Sequence, residues 1–284
     1  MRHALALATL CCAALLVGGC DDTDRSDRSG GAGGAKSGAG AGARSAPAET
    51  ETGTETATAE HAATVRAAVA ATGRTSARIA QTHTIDGTAI GEQVHTITVG
   101  GDFDFAKDRG NLAVTLGPVA FEEVFDGDNV YLRGQVPGDP DGDWYLADRR
   151  APARHLLRAP ANDPEYTLSQ ATMARTFARA GEETINGAPV VRYRGALPHE
   201  AVTLRMEKAT SDKIGEMRRT LGGRIPADVD VWVDARGRAV RARLALDMGG
   251  VTSTNTLTFS ELGKPVRITV PQGEITEGDL PESL

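Results

Sequence analysis

Apolar and polar residues alternate through most of the chain after residue 75, and helical spacing replaces that alternation in only a few places. Ala62, Val65 and Val69 recur at helical spacing with Gly73 as a stop, which predicts a short helix starting near Thr58. The period then becomes two. Ser76 to Ile85, Glu92 to Val99, Gly101 to Ala106, Leu112 to Leu116, Phe121 to Phe125, Val130 to Arg133 and Trp144 to Ala147 are predicted strands. They are joined by turn chemistry at Asp86-Gly87, Gly100-Gly101, Arg109-Gly110-Asn111 and Asp126-Gly127-Asp128-Asn129. Turns this tight imply an antiparallel meander, because parallel crossovers need a helix between strands.

Two helices interrupt the sheet. Thr167 and Gln170 form a capping box ahead of Leu168, Met173 and Phe177, and Ser211 caps a second stretch bearing Ile214, Met217 and Leu221. Between them lies a hairpin around Asn186-Gly187, with Ala188 to Arg194 and Ala201 to Arg205 as strands. The sheet resumes with Ala227 to Asp234, Ala239 to Met248, Val251 to Phe259 and Val266 to Val270. The class is α+β. For the Asp228–Met248 hairpin the pattern also fixes a register: keeping both apolar sets on one side sets Val233 opposite Val240. Trp232 then faces Arg241, and Asp230 faces Arg243, on a solvated outer side.

The first twenty residues follow another logic. After Arg2 and His3, the apolar run Ala4 to Val17 has the length of a signal-peptide core and is too short to span a bilayer. Val17-Gly18-Gly19-Cys20 then resembles the bacterial lipobox, in which the Cys thiol takes a diacylglycerol before cleavage on its N-terminal side. That resemblance makes Cys20 the lipidated first residue of the mature protein; an ordinary secretory signal with a coincidental Cys is the alternative. Cys11 and Cys12 leave with the signal, so the folded part carries no thiol, and thiol nucleophiles, Cys-ligated zinc and disulfides are excluded from it. From Asp21 to about Glu55 the composition falls to small and acidic residues that bury nothing, which predicts a disordered tether with a reach of roughly 30 to 35 Å.

Catalytic constellations are missing from the sequence. There is no Gly-x-Ser-x-Gly elbow, no His-Glu-x-x-His and no phosphate-cradling glycine loop, so the chain is not expected to be an enzyme and no cofactor is implied. His83 and His95 share one side of a predicted hairpin and could face each other, but two imidazoles without a third ligand make no zinc site. Asp139, Asp141 and Asp143 resemble the opening of a calcium loop, yet the twelfth position is Arg150, where a bidentate carboxylate belongs; no metal is expected. Arg149, Arg150, Arg154 and Arg158 form a local basic patch, a solvated face or one that meets anionic headgroups. A net charge of −7 argues against nucleic acid.

The inward residues suggest a container. Aliphatic positions on the strands (Val231, Val233, Leu244, Leu246) and Met173, Phe177, Ile214, Met217 and Met248 are the candidate lining of an apolar cavity, Met being suited to irregular ligands. An ordinary packed core has the same composition, and composition alone leaves both open.

The order of parts is similar to the LppX/LprG group of actinobacterial lipoproteins, which share a fold with the periplasmic lipoprotein carrier LolA. The resemblance covers roughly residues 57 to 276. It rests on the lipobox and tether, the helix leading into a meander, the Phe125 to Leu132 hairpin, Trp144-Tyr145, Val231-Trp232-Val233-Asp234 with its Arg-Gly turn, and the closing Leu262-Gly263-Lys264-Pro265-Val266-Arg267-Ile268-Thr269-Val270-Pro271. It implies an antiparallel half-barrel wrapping a few helices, with a cavity that holds acylated lipid or glycolipid and performs no covalent chemistry. The chain departs from the group in its scarcity of large aromatics and in the Gln135 to Asp143 insertion. The organisation expected is a signal peptide over 1–19, Cys20 and the tether over 20–56, the LolA/LppX-like domain over 57–276, and a flexible tail over 277–284. The protein would be a monomer on the outer face of the plasma membrane, its acyl chains (palmitate among them) in the lipid. The alternative is an interaction or sensing lipoprotein with the same fold and no bound lipid.

Anchoring is directly testable. At about 0.8 kcal/mol per buried CH₂, two long acyl chains hold a protein essentially permanently, so Cys20→Ala is expected to move the protein out of the membrane fraction. Retention at wild-type levels after fractionation would show that another element anchors it.

Overall fold

The Thr58 hydroxyl accepts from the His61 N–H and caps the first helix, α1 (Ala59–Thr72). The helix belongs to a computed structural model that describes residues 56–87, 94–134, 143–154 and 162–277. Ala62, Val65, Ala68 and Val69 are its buried stripe, and Gly73 ends it as expected, donating back to the Val69 carbonyl.

The strands are β1 (Ser76–Gly87), β2 (His95–Asp104), β3 (Arg109–Leu116), β4 (Val119–Asp126), β5 (Asn129–Gly134), β6 (Trp144–Asp148), β7 (Phe177–Ile185), β8 (Ala188–Ala196), β9 (Ala227–Asp234), β10 (Ala239–Asp247), β11 (Val251–Ser260) and β12 (Ile275–Glu277). Three more helices follow β6: α2 (Pro164–Thr172), α3 (His199–Val202) and α4 (Lys208–Thr220). All twelve strands form one sheet in the order β12-β6-β5-β4-β3-β2-β1-β11-β10-β9-β8-β7. Its origin is two meanders. β1 to β6 step outward in one direction, β7 to β11 step back toward the middle, and β11 closes on β1 through ten paired residues from Arg78↔Ser260 to Gly87↔Val251. Every pairing is antiparallel except β12 with β6.

Several sequence expectations are corrected. Gly100-Gly101 is no turn, and β2 runs straight through it. A Cβ on Gly101 would stand 2.0 Å from the Asn111 carbonyl oxygen, so glycine serves close strand approach here, not chain reversal. The helix read from Thr167 and Gln170 starts earlier, at Pro164, with the Asp163 carboxylate capping the Glu165 N–H. Thr167 and Gln170 lie inside it, and Phe177 opens β7 instead of closing the helix. α4 likewise begins at Lys208, with Ser211 in its interior. Ala201 to Arg205 is α3 and a turn, not a strand. Val266 to Val270 forms no strand.

The register argued for β9 and β10 holds at its polar positions. Arg241 pairs with Trp232, its guanidinium 5.6 Å from the indole centroid, and Arg243 pairs with Asp230. It fails at Val240. A bulge there sets Ala239 opposite Val233 and turns Val240 outward, where it packs with Ile185, Val190 and Trp232. Nor is that outer side simply solvated. Asp230 is fully buried beneath Arg192, Arg194 and Arg243, which approach its carboxylate at 2.9, 2.9 and 3.4 Å. Burial alone would raise its pKa, but the hydrogen bonds from Arg192 and Arg194 outweigh it and hold the group below the ordinary 3.8. A lowered carboxylate pKa adds stability above the unfolded value and loses it as pH falls through the folded one. Asp230→Asn should therefore cost about 2 kcal/mol in urea denaturation at pH 7. The difference from wild type should shrink below pH 3.8.

Candidate functional site

The helices lie on one face of the sheet, and strand alternation puts Val229, Val231 and Val233 of β9 on it beside Ala242, Leu244 and Leu246 of β10. α1 rests on β7, β9 and β10, while α2 rests on β9 and β10. Beneath and beyond them the apolar face continues through Leu257 and Ile79 to Val99, Leu112, Val114, Phe121 and Phe125.

All nine residues proposed from the sequence as cavity lining fall in this single cluster. They divide by depth. Phe177, Val231, Val233, Leu244, Leu246 and Ile214 are buried, Leu244 completely, whereas Met173, Met217 and Met248 are only partly buried at its margin. Each Met stands where an element ends or a short helix turns away, which explains the difference. Met173 caps α2, Met248 follows β10, and Met217 lies in the last turn of α4, whose one buried residue is Ile214.

Polar groups interrupt the apolar face where the meanders meet, a feature the sequence reading missed apart from His83. Gln81 and His83 of β1 and Ser253 and Asn255 of β11 are all buried. His83 is paired with Asn255 across the strands, and its Nε2 is hydrogen-bonded to the Ser253 hydroxyl at 2.8 Å. Asn255 donates to Thr167 of α2 at 3.2 Å, and Gln170 donates to the Ala201 carbonyl. His95 is paired with Ile85, not with His83, and is exposed. The two histidines are diagonal neighbours on one face, so the imagined imidazole pair does not form. Among the described residues no cluster of His, Cys, Asp and Glu could hold a metal ion. Cys20, Arg158 and the Asp139 and Asp141 carboxylates lie outside the described residues.

The basic patch is also corrected. Arg149 is buried, forming paired hydrogen bonds of 2.9 and 3.0 Å to Asp163, which is as buried as itself, with Asp108 and Glu165 alongside. Its guanidinium lies over the rings of Phe125 and Phe103 at 5.2 and 5.5 Å. Burial alone would lower its pKa, but Asp163 and Asp108 raise it well above the ordinary value, so Arg149 stays charged. Burial raises the Glu165 pKa, with Arg149 opposing. Arg150 pairs with Asp128, and Arg154 reaches Glu207 at 3.8 Å. These arginines are neutralised in place. Asn162 donates to the buried Glu123 of β4 at 2.9 Å, so two polar ties bind the start of α2 to the first meander while its body packs on the second.

No protein-family profile and no curated protein match the sequence. Solved structures do. The chain is similar to LprF from Mycobacterium bovis, at 16% identity over 76% of this chain and 99% of that one, with a TM-score of 0.44. It is similar to the lipoprotein LppX from Mycobacterium tuberculosis, at 18% identity over 73% and 97%, with a TM-score of 0.43. A LolA superfamily protein from Nitrosomonas europaea is similar at 8% identity over 74% and 94%, with a TM-score of 0.29. The group whose motifs the sequence resembles is thus represented among these structures.

The ties to α2 generate a stability prediction. Arg149→Met leaves the buried Asp163 without its partner and should cost about 3–5 kcal/mol in chemical denaturation. Arg149→Met combined with Asp163→Asn should recover a substantial part of that loss. A single-variant cost below 1 kcal/mol would show that the pair does not hold α2 down.

Proposed function

We propose that this chain is a lipoprotein held at the outer face of the plasma membrane by acylated Cys20, and that it carries or presents the acyl chains of a lipid or glycolipid between its sheet and helices. It performs no covalent chemistry. The half-barrel implied by the sequence resemblance and the tether are part of this reading. The observation that supports it is the width of the apolar face. α1 and α2 pack on β7, β9 and β10, yet apolar side chains continue across β11, β1, β2, β3 and β4. Those side chains are already buried by protein, so a long, unbranched ligand would lie across them by displacing what covers them, and the three partly buried Met side chains at the margin would adapt to it.

One observation favours the second reading, an interaction or sensing lipoprotein without bound lipid. Leu244, Val229, Val231 and Phe177 are already completely buried by protein.

Leu244→Trp separates the two. Where acyl chains fill part of the interior, the new ring takes their volume: native mass spectrometry of the purified full chain should lose an adduct of lipid mass, with stability near wild type. In a filled core the same change costs roughly 1 to 3 kcal/mol. A bare polypeptide mass in the wild type together with a destabilised variant would establish the second reading.

A further inference from the structure

A cavity of about 220 Å³ opens between α3, α4 and the start of β9. Its apolar wall is made by Leu197, Val202 and Ile225, each of which belongs to the main hydrophobic cluster. Its polar wall is made by His199, Arg218 and Arg224, and no carboxylate lines it.

The two arginines differ from those that tie the fold together. Arg149, Arg150, Arg192, Arg194, Arg238 and Arg243 each sit against a carboxylate. Among the described residues, neither Arg218 nor Arg224 forms an ion pair, and the Arg218 Nε–H is buried without an acceptor. A buried donor left unmade costs about 1–3 kcal/mol and is uncommon in a native fold. Arg218 is half-buried and Arg224 exposed, and two guanidiniums on one wall with no carboxylate beside them favour a phosphate-type anion, which they recognise by charge-assisted hydrogen bonds.

We infer that this cavity is a binding site for a phosphate-type anion, the headgroup of an amphiphile whose chain continues along the Leu197, Val202 and Ile225 wall into the apolar interior. The chain's path rests on the lipid-carrier reading; the anion site stands on the Arg218 and Arg224 geometry alone. Free phosphate offers the same chemistry without the chain.

The test measures binding of hexadecyl phosphate, hexadecanol and inorganic phosphate to the full chain, in wild type, in Arg218→Gln/Arg224→Gln, and in Arg219→Gln on the exposed side of α4. The expected result is that wild type and Arg219→Gln prefer hexadecyl phosphate over hexadecanol by at least about tenfold, a preference that falls to less than about twofold in the double variant. Circular dichroism and a melting curve establish that the double variant is folded. If it does not fold, Arg224→Gln alone, at an exposed position, carries the test. Equal binding of hexadecyl phosphate and hexadecanol by wild type would overturn the anion site while leaving the carrier reading intact. A preference undiminished in the folded variant would overturn it too. Inorganic phosphate bound as tightly as hexadecyl phosphate, and lost in the double variant, would support the anion site and remove the lipid from it.

Discussion

The sheet depends on the pairing of β1 with β11. These strands are separated by more than half of the described chain, and without their ladder the protein is two separate meanders, each with an unpaired edge in the middle of what should be one sheet. Closing so distant a pair carries a loop-closure cost that local hairpins avoid, so folding by early meanders and late joining is the expected order. The buried polar groups stand at that seam. Gln81, His83, Ser253 and Asn255 give the junction hydrogen-bonding demands that a slipped register would leave unmet, since a one-residue slip turns each of them to the other face.

α2 is the second cross-link between the halves. Its start is held by Arg149 and Glu123 of the first meander, its Thr167 accepts from Asn255 on β11, and its body lies on β9 and β10. Polar and apolar contacts divide the work: charge fixes where the helix begins, and Leu168 and Ala171 supply its burial. The outer face uses a similar economy, three arginines and one aspartate tying β8, β9 and β10 together on the side away from the helices.

Much of this was legible in local pattern. Strand alternation, the Asn186-Gly187 turn with both residues at positive φ, the Thr58 and Gly73 boundaries of α1, and the Trp232–Arg241 and Asp230–Arg243 pairs all follow from neighbours in sequence. What failed depended on distant residues. Gly100-Gly101 has turn composition, and only the approach of β3 shows why glycine is needed there. Arg149 sits among other arginines in sequence, and its three carboxylates come from two other segments, the turn at Asp108 and the start of α2. The apolar wall was read from strand parity, which survives long-range uncertainty. The cationic cavity was not, because Arg218, Arg224 and His199 share no periodic signal and meet only once α3 and α4 fold over the strand ends.

The way the chain enters the fold has a mechanical side. Thr58 exchanges two backbone hydrogen bonds with Phe177, its N–H donating to the Phe177 carbonyl and its carbonyl accepting in return, on the edge strand β7. Any pull reaching the domain from the N-terminal side meets this two-bond clasp before it meets α1. The load then passes from α1 into β7 and β10, so tension on the chain is borne by the second meander before the seam with the first.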